Sequence, residues 1–152
     1  MNNDKSIEVL NTLITINNDR IEGYDTASKE TEEQELKSLF AKFIQTSKKC
    51  KQALETEVGK LGGKPAEGTR TTGKFFRVWM DVKAALTGKD RKGILESCEY
   101  GEAVALDTYQ NVLKDNRFDL TEEHQNMIVT QHASLKADHD RVRSMHDALV
   151  EA

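Results

Sequence analysis

The sequence predicts an all-α fold, a four-helix bundle with one long crossover connection that contains a short helix. Three observations carry that expectation. Apolar residues recur three and four places apart through four long stretches, each bounded by helix start and stop signals. The chain is 37% apolar and 32% charged with a single proline, which suits amphipathic helices better than a turn-rich sandwich. The outer two connections are short and the middle one spans roughly 25–30 residues, the spacing of two hairpins joined by a crossover.

Taken in order, Asp4 or Ser6 can cap a first helix running to about Ser28. Its seam reads Ile7, Leu10, Ile14, Ile21 and Tyr24, with Asn17 interrupting it halfway. Thr31 and Gln34 form a capping box around two glutamates and open a second helix. Leu36, Phe40, Phe43, Leu54 and Leu61 are its buried stripe, and Ser47 and Cys50 share that face. Leu61–Gly63 stops it through glycine, and Pro65 prevents continuation. Lys48, Lys49 and Lys51 read as a solvated face.

From Lys64 to about Asp90 the pattern changes. Phe75, Trp79, Val82 and Leu86 mark a shorter helix that covers the bundle, with Phe76 off its main stripe, and Asp90 caps the third long helix. That helix aligns Leu95, Cys98, Glu102, Ala105, Tyr109 and Val112. Asp115–Asp119 turns the chain, and Thr121 with Glu122 and Glu123 starts the fourth. In the fourth helix Ile128, Leu135, Val142 and Leu149 recur every seven residues. His132, His139 and His146 form a second row about 40° round the helix.

One domain over residues 1–152 is expected, with one core. Net charge is −4 and the basic residues are scattered among acids, so no nucleic-acid footprint appears. The polar start and the lack of an 18-residue apolar run predict neither a signal peptide nor a membrane span. Two cysteines make no disulfide framework, which predicts a reduced, cytoplasmic setting. There is no Walker A loop, GxGxxG, GxSxG or CxxC.

The segments LGGKP closing helix two, WMDVKAALTGKD in the connector and CEYGEAVALDTY in helix three resemble a family of small bacterial ferritin-like proteins, described as a four-helix-bundle domain of unknown function. The resemblance covers nearly the whole chain, and the connector is its most specific part. It implies a ferritin-like fold and no assigned reaction.

A ferritin-like di-metal site needs a glutamate from each of two helices and Glu-x-x-His from each of the others. The residues three before each histidine are Thr121, Val129, Lys136 and Arg143, none of them acidic. Where the resemblance would place Glu-x-x-His on helix two stand Ser47 and Cys50, and helix one offers Asn17 for a bridging glutamate. The histidine row cannot by itself be one site, because seven residues rise about 10.5 Å and metal bonds are near 2 Å.

A polar layer at mid-bundle is still expected: Asn17, Ser47 with Cys50, Cys98 with Glu102, and Gln131 with His132 or His139. Its groups can satisfy one another and fix register. An atypical metal site is the other reading, with Glu102, His132 and His139 as ligands and Glu99, Cys98, Cys50 and Asn17 as neighbours. His124 and His146, nearer the ends, are expected at the surface. The functional expectation is a non-catalytic bundle with a degenerate di-metal site, structural, binding or stress-associated. The alternative is a metalloprotein using iron, zinc or manganese in storage or oxidative-stress defence. A self-associating homo-oligomer is a third.

Overall fold

The computed structural model of the chain describes residues 3–68 and 91–151. Within them lie four long helices, α1 (Asn3–Glu30), α2 (Gln34–Lys60), α3 (Arg91–Asp115) and α4 (Glu122–Glu151), with a 3-10 turn at Arg117–Asp119. No strand occurs among the described residues. The connector helix expected around Phe75, Phe76, Trp79, Val82 and Leu86, with its Asp90 cap, lies outside them.

Contacts at the helix ends fix the directions. Ile7 in α1 packs on Gly63 just past α2, so closely that a Cβ there would meet it at 2.8 Å. Arg91 at the start of α3 reaches Glu33 (2.8 Å) and Glu35 (3.0 Å) at the start of α2. His146 near the end of α4 faces Glu96 near the start of α3 at 3.2 Å. Hence α1–α2 and α3–α4 are antiparallel hairpins, and α2 and α3 point the same way. The end of α2 and the start of α3 therefore lie at opposite ends of the bundle. Packing is closest within each hairpin and looser between α1 and α3 and between α2 and α4.

The seam of α1 alternates steps of three and four: Leu10, Leu13, Asn17, Arg20, Tyr24 and Ala27 are all buried. That corrects the sequence-predicted seam, because Ile21 is only half-buried and Arg20 takes the inward place. The α3 face from Leu95 to Val112 is buried as expected. In α4, Ile128, Gln131, Leu135, Asp138 and Val142 make up the buried line, while Leu149 is exposed near its end. One apolar cluster gathers Leu10, Leu13, Leu54, Val58, Ile128 and Leu135; the other gathers Tyr24, Phe40, Phe43, Leu95 and Val142. Tyr24 stacks on Phe40 (5.4 Å between centroids) and meets Phe43 edge-on (5.2 Å).

Helix ends follow the sequence in two places and depart in two. At the close of α2, Gly62 adopts φ +80°, its N–H donates to Gly59 O and the Gly63 N–H donates to Val58 O, both at 3.0 Å. This is the double hydrogen bond that a left-handed glycine makes available. At the start of α4, Thr121 Oγ1 accepts from the His124 N–H at 3.0 Å. The capping box at Thr31 does not form: α1 runs on to Glu30, the Thr31 N–H closes it on Ala27 O, and Glu33 becomes the N-cap without a side-chain cap bond. Asp4 and Ser6 both lie inside α1, and the Ser6 hydroxyl donates instead to Asp119 O.

Candidate functional site

The middle of the bundle holds two polar layers, three residues apart along α1 and α2 and seven along α3 and α4, and each joins all four helices. The first is centred on Arg20 of α1, whose side chain is fully buried. Its Nη2 donates to both carboxylate oxygens of Glu102 on α3 at 2.8 Å, and its Nε donates to Glu102 Oε1 at 3.0 Å. Nη2 also reaches Asp138 Oδ2 on α4 at 3.3 Å, and Nη1 donates to the Ser47 hydroxyl on α2. The Tyr24 hydroxyl donates to Glu102 Oε1 at 2.5 Å, and the guanidinium sits 5.6 Å from that ring's centroid. A planar fork of five donors suits this task, since it can address several acceptors without changing shape.

In the second layer Asn17 Nδ2 donates to Tyr109 Oη and to Leu13 O, both at 2.8 Å. The Tyr109 hydroxyl donates to Gln131 Oε1 at 2.8 Å, and Gln131 Nε2 donates to Cys50 O at 3.2 Å. Asn17 Oδ1 is buried and lacks a partner among the described residues.

Burial and charge compete in the first layer. Burial alone would favour a neutral Arg20, but the attraction of Glu102 outweighs it and holds the guanidinium charged well above its ordinary range. Burial raises the Asp138 carboxyl, against the pull of Arg20, so desolvation wins there. The difference is geometric: Arg20 makes three short hydrogen bonds to Glu102 and one long one to Asp138. Burial, reinforced by Glu102, raises the hydroxyl of Tyr24 and the thiol of Cys98. Burial also pushes the Cys50 thiol up to about 11. Both thiols are therefore poor nucleophiles near neutral pH.

Of the residues the sequence singles out, Asn17, Ser47, Glu102 and Gln131 enter these layers, and Cys50 and Cys98 are buried beside them. His132 and His139 do not reach the hydrogen bonds of either layer. They follow the inward positions Gln131 and Asp138 by one residue, which turns them to the flank. His132 Nε2 is buried without a partner among the described residues, and burial, then Lys136, lowers its pKa. His139 Nδ1 lies 3.6 Å from Asp140, its neighbour in α4. Glu99 faces His146 Nδ1 at 3.4 Å. His124, expected at the surface, is buried with Nε2 3.2 Å from Glu57 Oε1. It lies four residues before Ile128 on the inward line, so helical periodicity outweighs its nearness to the helix end.

Arg20 and Asp138 are the partners that sequence reasoning missed, while Tyr24 and Tyr109 are buried on the faces expected of them and add hydroxyls to the layers. The signal was present for Arg20 and Asp138. Strict three-four stepping from Leu10 reaches Arg20, and from Ile128 it reaches Asp138.

A di-metal centre does not fit these residues. Both Glu102 oxygens are occupied by the guanidinium, and a fixed cation at the centre repels a divalent one. No group of three or more His, Cys, Asp or Glu side chains among the described residues converges as metal ligands would. Through Arg20 the arrangement ties α1 to the other three helices.

The model of a family described as a domain of unknown function, DUF2383, matches residues 5–115 of the 152. No curated protein matches the chain.

Proposed function

The chain belongs to the DUF2383 family, and from that premise we propose a ferritin-like bundle of structural or binding role, non-catalytic, whose centre is an internal ion pair rather than a metal. The observation that carries this is Arg20, which contacts polar side chains of all three other helices as a bound cation would. The opposite placement of the end of α2 and the start of α3 supports ferritin-like connectivity with a crossover. Metal analysis of protein purified without a His tag tests the proposal. Metal well below one equivalent, and melting unchanged by Fe(II) or Zn(II), is the expected result. Stoichiometric metal lost on Glu102→Gln or His139→Ala would overturn it. The second reading, an atypical site on Glu102, His132 and His139, is favoured by one observation, the unpartnered Nε2 of His132, and the same measurement decides between them.

A further inference from the structure

Where α2 and α4 face each other more loosely than the hairpins, an open groove of about 590 Å³ runs along the bundle. Small side chains, Thr46 and Ala53 on one wall and Thr130 and Ser134 on the other, leave the space. Its lining extends along α2 from Lys42 to Ala53, about 16 Å of helix rise. Spread over that length, the volume gives a section of roughly 40 Å², between about a third and a half of that of a helix with its side chains. The groove thus suits one extended chain rather than a docked helix, and its volume is that of a small-molecule site.

Its charge is one-sided. Lys42 and Lys49 line the α2 wall, and no Asp or Glu lines it, although the whole chain is net negative. Neither lysine forms an ion pair among the described residues. Lys42 lies near enough to Asp138 to lower its carboxyl somewhat, which leaves Lys49 the uncompensated cation. The hydroxyls of Thr46, Thr130 and Ser134 donate to Lys42 O, Asn126 O and Thr130 O of their own helices. The amides of Gln45, Asn126 and Gln131 also line the groove, Gln131 being engaged by Tyr109 and Cys50 O, and beyond Lys49 the wall offers carbon and sulfur from Cys50, Ala53 and Met127.

We propose that this groove binds a single-chain carboxylate, with the carboxylate at the Lys49 ammonium and the alkyl chain along Cys50, Ala53 and Met127. A lone ammonium, with no arginine in the lining, matches a monocarboxylate better than a phosphate, which is recognised by forked donors. The assignment rests on the binding role proposed above and names its ligand.

Calorimetric titration of the full chain with dodecanoate below its micellar concentration tests it, with dodecylammonium and dodecyl phosphate as comparisons. One equivalent of dodecanoate is expected to bind at least about tenfold more tightly than dodecylammonium. Lys49→Glu weakens binding by about tenfold or more, and Thr130→Trp, which fills the groove from its rim, abolishes it. Bound dodecanoate also slows modification of Cys50. No binding, equal binding of the cationic chain, indifference to both substitutions, or tighter binding of dodecyl phosphate each overturns the assignment. Stoichiometric metal with dodecanoate still bound would sink the non-metal reading and spare this one. Metal-free protein indifferent to dodecanoate would do the reverse.

Discussion

Arg20 Nη2 lies 2.8 Å from each carboxylate oxygen of Glu102, with the two side chains 0% and 1% exposed. A buried pair of this kind contributes little relative to a well-packed apolar pair, because desolvation offsets its attraction. Breaking it is different, since one charge is then stranded. Glu102→Gln is expected to destabilise the fold by about 3–5 kcal/mol. For a chain of this length that lowers the melting temperature by roughly 6–20 °C. Arg20→Met with Glu102→Leu recovers much of the loss, as a double-mutant cycle by chemical denaturation would report. Additive losses would mean that the pair does not act as a unit.

Asp138 shares the guanidinium but is the weaker partner. Burial raises its folded carboxyl pKa above the unfolded value of 3.8. Between those values the folded protein holds a proton that the unfolded chain has released, so this group's contribution to stability falls as pH rises. Asp138→Asn is therefore expected to be better tolerated at pH 7 than at pH 4, and at pH 7 milder than Glu102→Gln. Urea denaturation of both variants at the two pH values checks this.

His132 has the opposite dependence. Burial lowers its folded pKa below 6.5, so as pH falls the unfolded chain takes up the proton first and stability drops. His124 and His146 have carboxylates beside their rings, at 3.2 Å from Glu57 and Glu96. The informative quantity is thus wild type minus His132→Gln, measured from pH 5 to 7.5. That difference should shift against wild type on acidification; a constant difference would mean that the ring is fully solvated.

Tyr109 carries the second layer between α1 and α4. Tyr109→Phe leaves the buried Asn17 and Gln131 each without a hydroxyl partner. A loss of about 1–3 kcal/mol is expected. A stability change below about 0.5 kcal/mol would show that the two amides re-pair with each other.

The cysteines should react in order of access. Cys50 lines the α2–α4 groove, while Cys98 is 0% exposed. Titration with an aromatic disulfide is expected to modify Cys50 slowly in the native protein, and Cys98 only at the rate of global unfolding.

Much of the bundle was legible in the residues. The four amphipathic stretches, the glycine stop at Gly62 and the Thr121 cap depend on spacing within ten or so residues, which a sequence displays directly. The polar middle was legible in outline, because Asn17, Ser47, Glu102 and Gln131 stand where apolar residues would otherwise continue each stripe. Arg20 escaped because a long basic residue beside Ile21 reads as the solvated neighbour of an apolar one. Asp138 escaped because the histidine beside it drew the metal reading.

Spacing along the chain marks which segments become helices, most of each buried face and roughly where polarity interrupts the core. What that polarity is for emerges only when the four helices pack. Whether a buried carboxylate holds a metal, a proton or a guanidinium depends on which side chain reaches it across three other helices. A rotation of one residue, about 100°, separates Arg20 from Ile21 and Asp138 from His139. Packing of the four seams against one another settles that rotation, and it puts Arg20 at the centre.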